Sequence, residues 1–79
     1  MITIQDLYNI AGNKITNETA KAIIRNNFPP QFAEQMCRSI DVQERAEHFH
    51  RLLREYNEWL MKQQRQWEVV QQFLREYYK

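Results

Sequence analysis

The sequence predicts an all-α protein in which three short N-terminal helices pack on one long C-terminal helix. Only one glycine and two prolines occur among 79 residues, which argues against β-hairpins and glycine-rich loops. Apolar residues make up 43% of the chain, which is enough for a globular core. Residues 41–79 contain no glycine or proline, so nothing in them breaks a helix. We therefore expect a single domain of two regions, short helices over residues 1–40 and an amphipathic heptad helix over residues 41–79.

The helices of the first region are predicted from the residues at their ends. Thr3 can cap a first helix, which Gly12 is placed to end in a left-handed conformation. Thr16 is the N-cap candidate of a second helix. Pro29–Pro30 stop that helix, because the residue before a proline avoids the helical region. The second of these prolines also suits the first turn of a third helix, over about residues 31–39.

The second region is predicted to form one continuous helix. Asp41, with Glu44 three residues later, is typical of a helix N-terminus. Apolar residues then recur at alternating steps of three and four, the heptad spacing of coiled coils and helical bundles. Such a helix would be roughly 55 Å long, whereas a compact globule of this size is only about 30 Å across. The short helices can therefore cover its apolar stripe only to about Leu60.

The uncovered half of the stripe predicts self-association. Leaving large apolar side chains in water forfeits about 1.5–3 kcal/mol each, which in sum is comparable to the stability of a small domain. The helix must therefore bend back or meet another chain, and we favour a second copy of the chain, in a dimer, over a different protein. The breadth of the aromatic face favours a helical bundle. The residues expected at this interface are Leu60, Gln63, Trp67, Val70, Phe73, Leu74 and Tyr77.

Catalytic and ligand-binding groupings are not evident in the sequence. His48 and His50 lie two residues apart on a helix and point in different directions, which makes them a poor metal-binding pair. Cys37, the one cysteine, has no nearby partner and is expected to be a buried, inert thiol. A phosphate-binding loop needs more than one glycine. We therefore predict a non-enzymatic protein without a cofactor or a metal.

The charge balance and hydropathy bear on partners and compartment. The chain carries 11 basic and 10 acidic residues, so its net charge of +1 provides little attraction to nucleic acid or anionic lipid. No apolar stretch approaches the roughly 18 residues of a membrane span. The single cysteine and the lack of a signal-peptide pattern favour a reducing, cytoplasmic setting.

One segment of the first region resembles a known family. The run Thr3-Ile-Gln-Asp-Leu-Tyr-Asn-Ile-Ala-Gly12, followed by Ile15-Thr16 and Thr19-Ala-Lys-Ala-Ile-Ile24, resembles the helix-turn-helix of lactose-repressor-type regulators. The resemblance covers about residues 3–26, with two additional residues in the turn. It implies a recognition helix that enters the major groove of DNA. The DNA-contacting residues that it implies are Asn17, Lys21 and Arg25, with Glu18 on the same side of the helix.

Two functional interpretations follow from these features. The first is a small regulatory protein that self-associates through its long helix and binds a partner protein, as an inhibitor, antirepressor or adaptor would. The second is a dimeric helix-turn-helix transcriptional regulator. The first is favoured because phosphate neutralisation supplies most of the affinity for DNA, and residues 1–40 carry nearly balanced charge.

Overall fold

A computed structural model describes residues 1–77, and within this range it contains five α-helices and no strand. The helices are α1 (Ile4–Ala11), α2 (Asn17–Asn27), α3 (Pro30–Ile40), α4 (Arg45–Lys62) and α5 (Glu68–Tyr77). The prediction of an all-α protein is therefore confirmed.

The three N-terminal helices begin at the residues that the sequence marks. Thr3 Oγ1 accepts a hydrogen bond from the Asp6 amide at 3.1 Å, and the Thr3 amide donates to Asp6 Oδ2 at 3.0 Å, which together form a capping box. Thr16 Oγ1 accepts from the Thr19 amide at 3.2 Å at the start of α2. Pro30 is the first residue of α3, where its missing amide hydrogen costs nothing.

The end of α1 differs from the prediction by one position. Gly12 has a φ of −89°, which is an ordinary right-handed value, whereas Asn13 has a φ of 57°. The Lys14 amide donates to the Asn9 carbonyl at 2.9 Å, as in a Schellman motif with Asn13 as its left-handed residue. Asparagine tolerates this conformation better than most residues other than glycine. The prediction that Gly12 is the left-handed residue is therefore wrong.

The predicted continuous helix over residues 41–79 is also wrong. α4 begins at Arg45, and Asp41, predicted as its N-cap, instead ends α3. Glu44 precedes α4 without making a side-chain capping bond. α4 ends at Lys62, and the chain then turns back before α5 begins. The last two residues of the predicted helix lie outside the described residues.

The turn after α4 is a second Schellman motif, and glycine is absent from it. Gln64 has a φ of 58°, and its amide donates to the Met61 carbonyl at 2.9 Å. The Arg65 amide donates to the Leu60 carbonyl at 3.0 Å, which satisfies another carbonyl at the end of α4. Glutamine is a good helix former, so the residue type gave no warning of the break.

The five helices share one apolar core. α2 packs on α3, α3 packs on α4, and α5 contacts both α1 and α4. Apolar residues from all five helices belong to a single buried cluster. The accessible surface is 5256 Å², close to the roughly 5,200 Å² expected of a folded monomer of this mass. One chain therefore covers its own core to the usual extent.

This packing removes the reason for expecting a second chain. The side chains of Val70 and Phe73 are fully buried, and Leu60 is 4% exposed. These three cannot contact another copy while α5 stays in place. The other residues of the predicted interface are partly buried or exposed: Trp67, Leu74, Tyr77 and Gln63.

Candidate protein-binding cleft

The residues predicted to contact DNA lie on α2, and two of them are engaged within the chain. Lys21 Nζ lies 3.0 Å from Asp41 Oδ2 in a salt bridge. Asn17 Oδ1 accepts a hydrogen bond from Arg45 Nη2 at 2.7 Å. Arg25 is exposed. The face of α2 that carries these three residues is thus turned partly toward the connection between α3 and α4.

Arg45 joins three parts of the chain, and no motif in the sequence predicts this role. Its Nη1 donates to Asn13 Oδ1 at 2.6 Å, and its Nη2 donates to Asn17 Oδ1 at 2.7 Å. Its Nε and Nη2 also donate to the Ile40 carbonyl, at 3.0 and 2.6 Å. One guanidinium therefore ties the turn after α1 and the start of α2 to the end of α3. Arginine suits this role because its donors are arranged in a planar fork.

The two tryptophans belong to an aromatic cluster that is half-buried inside the chain. The Trp67 ring centroid lies 5.3 Å from that of Phe28 and 6.0 Å from that of Tyr56. The Trp59 ring centroid lies 5.7 Å from that of Phe32. The contacts of Trp67 hold the segment after the turn against the end of α2 and against α4, while Trp59 joins α4 to α3. Such ring pairs stabilise by about 0.5–1.5 kcal/mol beyond their buried area. The tryptophans are therefore in part structural.

Cys37 and His50 have environments typical of residues with a structural role. Cys37 is 5% exposed, and burial raises the pKa of its thiol, although Arg25 and Lys21 oppose this effect. Burial lowers the pKa of His50, and the nearby Arg54 guanidinium lowers it further. Within residues 1–77, no three His, Cys, Asp or Glu side chains come together as metal ligands.

A cleft between α3 and α4 collects basic side chains. We call it the basic cleft, and its volume is about 250 Å³. Its lining contains no acidic residue and consists of Gln35, Arg38, Ser39, Val42, His48, Arg51 and Leu52. The packing of α3 on α4 brings Arg38 from one helix beside His48 and Arg51 from the other.

The basic side chains of this cleft are not neutralised within the chain. In the described part of the chain, Lys21–Asp41 is the one ion pair within 4.0 Å. The side chains of Arg38, His48 and Arg51 make no ion pair and no hydrogen bond there. Their donors are consequently available to an anionic group, and arginine can bind a carboxylate through two parallel hydrogen bonds.

The basic cleft also has an apolar side. Val42 is 43% exposed, one of the few large apolar side chains in residues 1–77 that water reaches to this extent. Leu52 is buried beneath the cleft, at 3% exposure. The buried Ser39 hydroxyl donates to the Met36 carbonyl at 2.6 Å, so it is already satisfied. The cleft therefore offers charge at its rim and an apolar surface beside it.

The basic cleft has no signature in the sequence, because its residues come from two separate segments of the chain. Arg38 and Arg51 lie on different helices, and each is one of many interleaved charges. The heptad spacing of residues 41–79 predicts that Val42 belongs to the buried apolar stripe, whereas the structure places it in the connection between α3 and α4. A sequence signal for the cleft would have required knowing that α3 packs on α4.

In the described residues no helix is long and apolar enough to cross a membrane. No protein-family model, no curated protein and no solved structure matches this chain.

Proposed function

We propose that the protein is a non-enzymatic regulatory protein that binds a partner protein through the basic cleft. An acidic segment of the partner would place a carboxylate against Arg38 or Arg51 and an apolar side chain against Val42. This mode of binding fits an inhibitor, an antirepressor or an adaptor. One chain is sufficient for it, because the cleft lies between two helices of the same chain.

The observation that carries the proposal is the set of unpaired basic side chains around one cleft with an apolar side. Arg38, His48 and Arg51 have no acidic neighbour in the lining. Elsewhere in the chain basic and acidic residues nearly balance, so this local concentration is not a property of the whole surface. Arginine is also enriched among the residues that dominate binding energy at protein interfaces.

A DNA-binding regulator is the second candidate, since unpaired arginines also suit a phosphate group. The support for it is weaker. Lys21 and Asn17, which the helix-turn-helix resemblance assigns to DNA contact, are engaged with Asp41 and Arg45. A recognition helix must present such residues to base edges in the major groove. We therefore favour a protein partner.

A direct test compares two probes for the basic cleft. One is a fluorescent peptide of alternating glutamate and leucine, and the other is a fluorescent random-sequence DNA duplex. We expect fluorescence anisotropy to show binding of the peptide at low salt and weaker binding of the duplex. Replacing both Arg38 and Arg51 with glutamine should weaken peptide binding about tenfold or more, because bonds to charged groups are lost.

Control variants separate a specific cleft from general attraction between opposite charges. Arg54→Gln with Arg75→Gln removes the same net charge from exposed residues that do not line the cleft. This pair should leave peptide binding within about twofold of wild type. Val42→Ser should weaken peptide binding by less than the replacement of Arg38 and Arg51 does. Equal losses of peptide affinity in the two arginine pairs would contradict a specific binding site in the basic cleft. Tighter binding of the duplex than of the peptide would favour a DNA-binding function.

A further inference from the structure

The residues of the turn between α4 and α5 disfavour the backbone conformation that the turn adopts. Gln64 adopts a φ of 58°, which L-residues other than glycine and asparagine seldom adopt. Residues 63–66 read Gln-Gln-Arg-Gln, and both residue types favour an α-helix. The local preference of this segment is therefore to continue α4 rather than to end it.

The apolar pattern also continues across the turn. Leu60, Trp67 and Leu74 are seven residues apart, so a helix that ran through the turn would keep them on one face. A helix over residues 45–77 would be about 50 Å long at 1.5 Å per residue. The greatest extent of the molecule is 33 Å. Such a helix would carry α5 out of the chain that now buries it.

α5 cannot leave without a replacement, because it closes the core. Val70 and Phe73 are fully buried. The Phe73 ring centroid lies 5.2 Å from that of Tyr8 on α1 and 6.4 Å from that of Phe49 on α4. Tyr8 Oη also donates to Glu76 Oε1 at 3.2 Å. Withdrawal of α5 alone would expose a groove on α1 and α4, together with the apolar face of α5.

We propose that the chain forms a domain-swapped dimer in which α4 and α5 join as one helix. Each α5 occupies the groove on α1 and α4 of the other copy. The occupant of the groove is thus a second copy of the same segment, and every contact of α5 described above is reproduced between chains. The two-fold symmetry makes the interface self-complementary. This proposal is independent of the basic cleft and its partner.

The equilibrium between the closed monomer and the swapped dimer depends on the turn between α4 and α5. Closed monomers keep two left-handed glutamines for every pair of chains, whereas the swapped dimer has none, because residue 64 becomes helical. The dimer loses the translational freedom of one chain. The swapped state would consequently grow with protein concentration, and its contacts would include the residues first expected to mediate self-association: Trp67, Val70, Phe73, Leu74 and Tyr77.

Two substitutions at the turn test the swap. Gln64→Gly favours the left-handed conformation, and Gln64→Ala favours the helix. After refolding at millimolar concentration, size-exclusion chromatography with light scattering should show more dimer for Gln64→Ala than for Gln64→Gly. Each turn contributes about fivefold, so two turns predict about a twenty-fivefold difference in the monomer–dimer equilibrium constant. Asn13→Ala, at the other left-handed turn, should leave that constant near wild type.

A cross-link then distinguishes a swapped dimer from an ordinary one. Tyr8→Cys and Glu76→Cys, in a Cys37→Ser background, place thiols on the two sides of the contact between α1 and α5. A short bismaleimide should join the two chains covalently in the dimer fraction and should leave the monomer fraction at the mass of one chain. Two results would overturn the proposal: Gln64→Ala remaining monomeric at millimolar concentration, or a dimer fraction cross-linked only within each chain.

Discussion

The turns after α1 and after α4 have the same backbone and different sequences. Asn13 and Gln64 have φ values of 57° and 58°. In both turns the amide three residues after the end of the helix donates to a carbonyl of its last turn, from Lys14 at 2.9 Å and from Arg65 at 3.0 Å. The first turn contains residues suited to it, whereas the second contains residues that favour a helix.

The difference shows that one backbone geometry can have two origins. Asn13 is a residue that tolerates the left-handed region, and Arg45 holds its side chain at 2.6 Å. Gln64 has no such advantage, and its side chain is exposed. The burial of α5 compensates for the cost of the second turn. Local sequence and the bond from the distant Arg45 both favour the first turn, whereas tertiary packing imposes the second against its local preference.

The largest expected effect follows from removing that packing. Phe73→Ala should lower the free energy of unfolding by about 3–5 kcal/mol, because a fully buried ring is replaced by a cavity between α5 and its neighbours. Urea denaturation followed by circular dichroism measures this change. Arg75→Ala, an exposed substitution on the same helix, should change the free energy by less than about 0.5 kcal/mol. A Phe73→Ala loss no larger than that of the Arg75→Ala control would mean that α5 is not held by its core contacts.

The same distinction explains what the sequence predicted well. Thr3, Thr16 and Pro30 begin their helices as expected, because a cap or a proline acts on backbone groups within a few residues. The break after Lys62 was missed, because its cause lies in contacts of α5 with the distant α1. The heptad spacing described the apolar faces of α4 and α5 but carried no information on the turn between them.

The basic cleft could not be predicted for the same physical reason. Arg38 and Arg51 are ordinary exposed arginines in the sequence, and only the packing of α3 on α4 brings them to one cleft. Arg45 likewise lies among interleaved charges, yet it makes hydrogen bonds to residues of three other segments. Long-range polar contacts of this kind leave no periodic signal in a sequence.

The second prediction concerns Arg45, whose hydrogen bond to Asn13 is the long-range support of the first turn. Arg45→Ala should lower the free energy of unfolding by about 1.5–3 kcal/mol, since charge-assisted hydrogen bonds to two side chains and a carbonyl are lost. Amide hydrogen exchange should accelerate at Lys14 more than at Arg65, because only the first turn contacts the guanidinium. Arg54→Ala is the matched control at an exposed position. Equal acceleration at both amides would contradict separate origins for the two turns.

In the third prediction, glycine substituted at the left-handed residue of each turn should change the free energy of unfolding in opposite directions. Gln64→Gly should raise the free energy of unfolding by about 0.5–1 kcal/mol, because it relieves the left-handed strain. Asn13→Gly should lower it by a similar amount, about 0.5–1 kcal/mol, since the bond to Arg45 at 2.6 Å is lost. Thermal and urea denaturation of the two variants, compared at equal protein concentration, measure both changes. A stabilising Asn13→Gly would show that local strain dominates in the first turn as well.

The smallest expected effect is a loss of stability with rising pH, which arises at the contact between α1 and α5. Burial raises the pKa of Tyr8, as do the hydrogen bond to Glu76 and the negative charge of that carboxylate. A phenol whose pKa is higher in the folded state binds its proton more tightly there, so the contribution to stability is lost as the pH rises above about 10. Urea denaturation near pH 8 and pH 10.5 should therefore show a loss with rising pH. The loss should be shallower in Tyr8→Phe.

Tyr56 complicates this measurement, because burial raises its pKa too, although Arg65 opposes that effect. Wild type should consequently lose stability at both tyrosines, and Tyr8→Phe should retain the loss that arises from Tyr56. Glu76→Gln keeps the phenol and removes the negative charge of its acceptor, so its pH dependence should lie between those of wild type and Tyr8→Phe. If Glu76→Gln instead matched wild type, the negative charge of Glu76 would contribute nothing to the raised pKa of Tyr8, since glutamine can still accept the hydrogen bond of the phenol.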